Sequence, residues 1–352
     1  MKESGVLCKK TERTEVVDPM LHKHLTIEDY MNMISRDYPE EKVVFLTKQF
    51  CLTSESDYVK RTGLEFLYMN GYYQELDDLI LINKQSLNSI NRKWAYLYDL
   101  LVLRKKGTIP EHALLEEINQ IKTNLAELNC IVGFMKIYLY YDLNEFEKLG
   151  DYLDQQSELI NEIEDSFLSS LFFVRLNEIL FTYYWKRNEL ILARKYAFQV
   201  LTESYCQERK ANIHMHLGLS YLYDNYVQCV YHLDEAKRIA ILYNKAVLIR
   251  AIEQQNFPFV SAHFGIIKGI TTMDPSEQAH LAIAKGDYEK ARKILKGISL
   301  DSPFRKYYLG MAEQDKGLLL RSYNDFIVKR SDYFFSRLPL LALNNNSLRH
   351  EP

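Results

Sequence analysis

The sequence is poor in the residues that break secondary structure. Only 13 glycines and 8 prolines punctuate its 352 residues, which leaves too few turns for many short strands and favours long helices. No run of about 18 apolar residues could cross a bilayer, and no charged-then-apolar leader opens the chain. The five cysteines, at positions 8, 51, 130, 206 and 229, are odd in number and contain no CxxC pair. That argues against a disulfide framework or a zinc site and points to a reducing cytoplasm. An excess of one charge is missing too: 44 basic residues mix with 47 acidic ones, a net charge of −3. Electrostatics alone therefore do not announce a nucleic-acid binder. The longest basic cluster, Arg104-Lys105-Lys106 before Gly107, reads as a solvated helix C-terminus, where cations oppose the helix dipole.

Catalytic signatures are absent as well. No HExxH, GxSxG or Walker-type glycine loop occurs. The close histidine pairs are His22 with His24 and His214 with His216. On a helix, positions i and i+2 differ by about 200°, so His214 and His216 point apart and share no metal. Acidic pairs such as Glu116-Glu117 and Asp77-Asp78 belong on the solvent face of amphipathic helices. No catalytic residue, metal site or cofactor is expected. An interaction protein is.

What the sequence does contain is a recurring elbow. In "HLAIAKGDYEKARKILKG" (280–297) a Gly-Asp-Tyr turn is followed by Ala291 and Leu295 at helical spacing. Similar turns stand at Gly71, Gly107, Asn144, Asn188, Asn225, Gly286 and Gly317, 31 to 44 residues apart except for one gap of 61. The tetratricopeptide repeat has a period of about 34. Gly or Asn tolerates the left-handed backbone that ends one helix and starts the next. Leu217, Gly218 and Tyr221 share one face before the turn at 225, and Cys229, Leu233 and Ala236 follow at i, i+4 and i+7. A hairpin built this way has an uncovered apolar side and must stack on its neighbours. The expected fold is all-α: a right-handed superhelical solenoid of tetratricopeptide-like hairpins over 27–352. The long gap holds residues 254–278, with Pro258 and Pro275, and reads as a loop crossing one face. The 26 tyrosines concentrate in stretches such as 137–143 and 181–185, the first helices of proposed hairpins. There they either line a concave groove suited to a peptide or fill the space between repeats.

Two segments resemble the arbitrium peptide receptors, the AimR family of temperate Bacillus phages. The first runs from "YPEEKVVFLTKQFC" to "GYYQELDDLI" (38–80). The second runs from "EQAHLAIAKGDYEKARKILKG" through "KYYLGMAEQDKG" to "SRLPLLAL" (277–343). The resemblance implies a repeat superhelix that binds a secreted hexapeptide and regulates transcription in the lysis–lysogeny choice. It places Arg61 where the family has a groove arginine. Glu277 matches an acidic groove position, Asp332 and Phe334 an acidic and an aromatic one, and Asp301 stands near an asparagine position. Thr182 and Leu219 replace groove asparagines. A second groove arginine falls on Glu208, with Arg209 next door, so these departures point to a different peptide or to none. A carboxylate would hold a peptide amine or arginine, and an arginine the C-terminal carboxylate. The plain alternative for Arg61 is an i,i+4 pair with Glu65 on a solvated face.

Both ends depart from the family. Residues 1–26 read as the rear half of a helix-turn-helix unit, interrupted by Pro19, so binding to operator DNA is in question. The family dimerises through a leucine-rich final helix, whereas this chain ends in the polar "NNNSLRHEP", so a homodimer by that route is in question too. A rival reading is a Rap-like adaptor that regulates a protein partner without touching DNA.

Overall fold

The computed structural model describes residues 24–347 apart from 144 and 146. Among the described residues there is no strand, and successive helices pack as hairpins. The pairs are α1 (Ile27–Ile34) with α2 (Glu40–Thr53), α3 (Asp57–Met69) with α4 (Tyr73–Lys84), and α5 (Ser89–Lys106) with α6 (Glu111–Gln120). Then come α7 (Ala126–Asp142) with α8 (Glu147–Asn161), α9 (Ser166–Lys186) with α10 (Leu190–Glu203), and α11 (Gln207–Ser220) with α12 (Tyr226–Leu242). A continuous helical segment follows: α13 (Ala246–Ala251), a π-helical turn (Ile252–Asn256) and α14 (Phe257–His263). The chain goes on with α15 (Pro275–Ala284), α16 (Tyr288–Lys296), α17 (Pro303–Glu313), α18 (Lys316–Arg330) and α19 (Arg337–Ser347). This is the expected all-α solenoid of helix pairs. The proposed helix-turn-helix remnant falls almost wholly on residues 1–23, and the polar end of the chain on 348–352, both outside the described residues.

The turn chemistry explains the hairpins. Gly71 (φ 75°) and Asn188 (φ 64°) take the left-handed backbone that closes α3 and α9. Asn225 caps α12 by accepting the N–H groups of Val227 and Gln228. Gly317 does not make its turn. It lies inside α18 and donates to the capping carboxylate of Asp315, while Gln314 (φ 56°) carries the left-handed step. The 61-residue gap hides one more such turn, at Asn244 (φ 53°).

The loop expected at 254–278 is mostly helix, and only 264–274 is irregular. Pro258 sits in α14 without an N–H to give to the carbonyl of Gln254. The π turn just before it widens the helix, with the Phe257 N–H reaching back to Ile252. The Thr272 hydroxyl then donates to the stranded Gln254 carbonyl at 2.6 Å, and the Met273 N–H donates to the Gln254 side chain at 2.8 Å. The irregular segment is thereby stitched back onto the helix it leaves.

Close packing is built into the hairpins. A Cβ at Gly218 would stand 2.9 Å from the carbonyl oxygen of Cys229, so only glycine lets α11 and α12 approach this far. Cys229, Leu233 and Ala236 on the facing helix are fully buried, as their spacing implied. The first hairpins also return against later ones. Ser166 donates to Glu28 at 2.9 Å, Tyr58 to Asp165, and Tyr243 to Glu41. Helix α3 packs directly on α9.

Candidate functional site

Two hollows collect residues that the sequence singled out. The first, about 400 Å³, lies between the end of α11, the π turn and the starts of α15 and α17. Asp274 caps α15, its carboxylate accepting the N–H groups of Ser276 and Glu277, and Pro275 opens the helix. This turn points the Glu277 side chain inward, where it is 8% exposed. Its carboxylate accepts the Tyr308 hydroxyl at 3.1 and 3.3 Å and lies 3.4 Å from His280 Nδ1. Arg305 borders the same hollow, held by the Ser276 hydroxyl at 2.9 Å and the Ser299 carbonyl at 3.0 Å. Asp301 stands outside as an exposed partner of Arg305 at 3.2 Å. Leu219, at a groove-asparagine position, lines the hollow as well.

The second hollow is a slot of about 230 Å³ between α7 and α9, walled by Ile137, Tyr138, Ile179 and Tyr183, with Arg104 and Thr182 beside them. The Thr182 hydroxyl is turned back onto its own helix, donating to the Glu178 carbonyl at 3.2 Å. Glu178 also pairs with Arg209, whose Nε donates to the Met69 carbonyl at 2.8 Å. Burial works most strongly against the Arg209 charge, but Glu178, Cys206, Tyr68 and Tyr138 together outweigh it and raise the guanidinium pKa. Arg209 thus ties α3, α9 and α11 together, while Thr182 bonds only within α9. Glu208 pairs instead with Lys245 at 2.5 Å. A larger hollow of about 630 Å³ opens between α8, α9 and α10, but none of the residues singled out from the sequence lines it.

The other expected residues lie apart from these hollows. Arg61 lies over the Tyr58 ring, 5.4 Å from its centroid. The alternative pairing with Glu65 does not form, because Glu65 faces the protein interior and meets Arg175 at 3.3 Å. Asp332 is 1% exposed, pairs with Lys186 and accepts the Phe335 N–H at 3.0 Å. Phe334 is fully buried among Trp185 (5.7 Å), Tyr223 (5.0 Å) and Phe335 (5.0 Å), and its N–H donates to the Lys186 carbonyl at 3.2 Å. In this conformation Asp332 and Phe334 form a clasp that joins the segment after α18 to the end of α9. Lys186 and Tyr223 escaped the sequence reading, and Trp185 lay in a stretch read only for its tyrosines. A basic residue after a run of aromatics gives no sign of a partner so far along the chain.

The tyrosines divide between hollows and packing. Tyr138 and Tyr183 wall the slot, whereas Tyr140 stacks on Tyr152 and Tyr184 on Tyr196, filling space between helices. His214 and His216 do point apart. His214 Nδ1 lies 3.0 Å from His232 Nδ1, and His216 packs on Trp185 at 5.5 Å.

These features define an α-solenoid of helix pairs with hollows between its helices large enough for a side chain or a short peptide. The chain belongs to the AimR transcriptional regulator-like family, whose model matches residues 43–345. Among curated proteins it is similar to an uncharacterized protein of Bacillus anthracis, 24% identical over 272 residues, covering 70% of this chain and 96% of that one. Among solved structures it is similar to one described as phAimR with ligand. That match has a TM-score of 0.78 and 19% identity, and covers 92% of this chain and 99% of the other. A selenomethionine phAimR structure matches with a TM-score of 0.72 and 20% identity, covering 92% of this chain and 87% of the other.

Proposed function

We propose that this chain is an arbitrium-type receptor: a cytoplasmic regulator of transcription that takes a short secreted peptide into the groove of its helical repeats. The observation that carries the reading is the family match over most of the chain, combined with a cavity of about 400 Å³ that presents the buried Glu277 carboxylate. A hollow of that size suits a few residues of an extended peptide. A buried carboxylate with no lysine or arginine paired to it among the described residues offers a counter-charge to a peptide ammonium or guanidinium.

The repeat region from residue 27 onward is the peptide-binding body in this reading. Glu277 and Asp301 mark one part of the groove, and Thr182 and Arg209 another. Arg61, Asp332 and Phe334 complete the peptide contacts, the last two after the clasp at Lys186 opens. Occupancy would tie the choice between lysis and lysogeny to the number of infected neighbours.

Calorimetry with candidate hexapeptides, run beside gel shifts on the DNA flanking the gene, tests this. Binding of both peptide and DNA, with the peptide altering the shift, is the expected result. Peptide binding without any DNA shift would favour the Rap-like adaptor. Binding of neither at micromolar concentration would overturn the proposal.

A further inference from the structure

Lys105, near the end of α5, stands by two other cations that are already matched. Arg209 is paired with Glu178, and Lys245 with Glu208. No carboxylate among the described residues pairs with Lys105. Its ammonium lies against the face of Tyr73, 3.3 Å from the ring centroid. Burial, together with Arg209 and Lys245, lowers the Lys105 pKa against the opposing pull of Glu208. A charge in that position gains from an incoming anion.

The adjoining Arg104 makes a two-pronged pair with Asp142, at 2.7 and 2.8 Å, and lies 4.7 Å from the centroid of Tyr138. Arg104 and Tyr141 border two hollows at once. One is the tyrosine-walled slot of about 230 Å³, and the other is an open depression of about 580 Å³ that Lys105 lines with Glu111 and Asp142. A cation with no carboxylate paired to it among the described residues therefore lines a depression that shares Arg104 and Tyr141 with an apolar slot of side-chain size. Glu111 and Asp142 make the depression inhospitable to a dianion such as phosphate, whereas a single carboxylate meets one free cation.

We infer that Lys105 receives the C-terminal carboxylate of a short peptide whose last side chain, aliphatic or aromatic, enters the slot between α7 and α9. This rests on the peptide-receptor reading above and adds the chemistry of one end of the ligand. The cation at Arg209, next to the family's arginine position, is occupied by Glu178, and the anchoring role passes to Lys105.

The test uses the full chain and an equimolar hexapeptide pool made in two forms, with free C-terminal carboxylates and with C-terminal amides. Retained peptides are read by mass spectrometry. The free-acid pool should be retained about ten- to a hundredfold better than the amide pool, the range of one charge-assisted hydrogen bond. Retained sequences should end in Leu, Ile, Val, Met or Phe. Lys105→Gln should erase the preference for the free acid, and Lys105→Arg should restore it. Equal retention of acid and amide would overturn the anchor while leaving the receptor reading intact, as would an unchanged preference in Lys105→Gln. Retention of no peptide in either form would overturn both.

Discussion

Arg175 on α9 and Glu65 on α3 face each other at 3.3 Å, and neither side chain has any exposed surface. The guanidinium lies 4.4 Å from the centroid of Tyr68 and 4.9 Å from that of Phe134, and the Tyr98 hydroxyl donates to Glu65. This knot is where α3, from the second hairpin, meets α9, from the fifth.

Removing one half of the knot strands a charge in the interior. Arg175→Met should cost about 3–5 kcal/mol in urea unfolding, because Glu65 keeps its desolvation penalty and loses its counter-charge. The double replacement Glu65→Leu with Arg175→Met should recover most of that loss. A double variant as unstable as the single one would show that ring packing, and not charge pairing, holds α3 on α9.

The hairpins were legible in the sequence because each is local. A left-handed turn residue, a small residue and an apolar i, i+4, i+7 series lie within about 30 residues of one another. Gly218 with Cys229, Leu233 and Ala236 could be read that way. The knot and the Lys186–Asp332 clasp could not, since each joins residues from distant hairpins whose meeting depends on how the whole solenoid curls. The long helix through Pro258 was misread for a different reason. Proline signals a break, but here a π turn and the Thr272 hydroxyl absorb the missing hydrogen bond. Of the candidate site, Glu277 and Thr182 were found beside hollows, while Tyr308, Arg305 and Lys105 gained their meaning only from the packing.

Gly218→Ala tests the close approach within one hairpin. The new methyl would meet the Cys229 carbonyl oxygen at 2.9 Å and the Leu233 side chain at 3.0 Å. Since backbone cannot step aside as a flexible side chain can, the loss should be about 1–3 kcal/mol. It would be seen as a lowered urea midpoint with an unchanged slope. A gain in stability, as expected from the helix propensity of alanine alone, would contradict the packing argument.

Acid should weaken the fold before the carboxylates titrate. His216, His232 and His263 are each pulled down to about 4, in every case first by burial. Cations add to the effect: Lys186 at His216, Arg194 at His232 and Arg337 at His263, with the rings of His214 and His280 beside the latter two. In the unfolded chain a histidine titrates near 6.5. The neutral rings therefore contribute their full stability above pH 6.5, and it drains away as the pH falls toward 4, where the folded protein also takes up the protons. The slope reaches about 1.4 kcal/mol per pH unit for each histidine. Urea midpoints at pH 7.5 and pH 5 measure it, and equal midpoints would refute it.

In the proposed reading, the Glu277 carboxylate is the most direct handle on a peptide ligand. The carboxylate is buried, accepts the Tyr308 hydroxyl, and borders the cavity of about 400 Å³ with no lysine or arginine among the described residues paired to it. Glu277→Gln keeps the size of the side chain and an oxygen for Tyr308, so thermal unfolding should move by only a few degrees. A peptide whose basic group sits against Glu277 should then bind about ten- to a hundredfold more weakly, as expected for the loss of one hydrogen bond to a charged group. The same peptide with norleucine in place of its basic residue should bind the parent protein and the variant equally. If the variant instead weakens both peptides alike, Glu277 shapes the cavity through Tyr308 and His280, and the cation-recognising role assigned to it is lost.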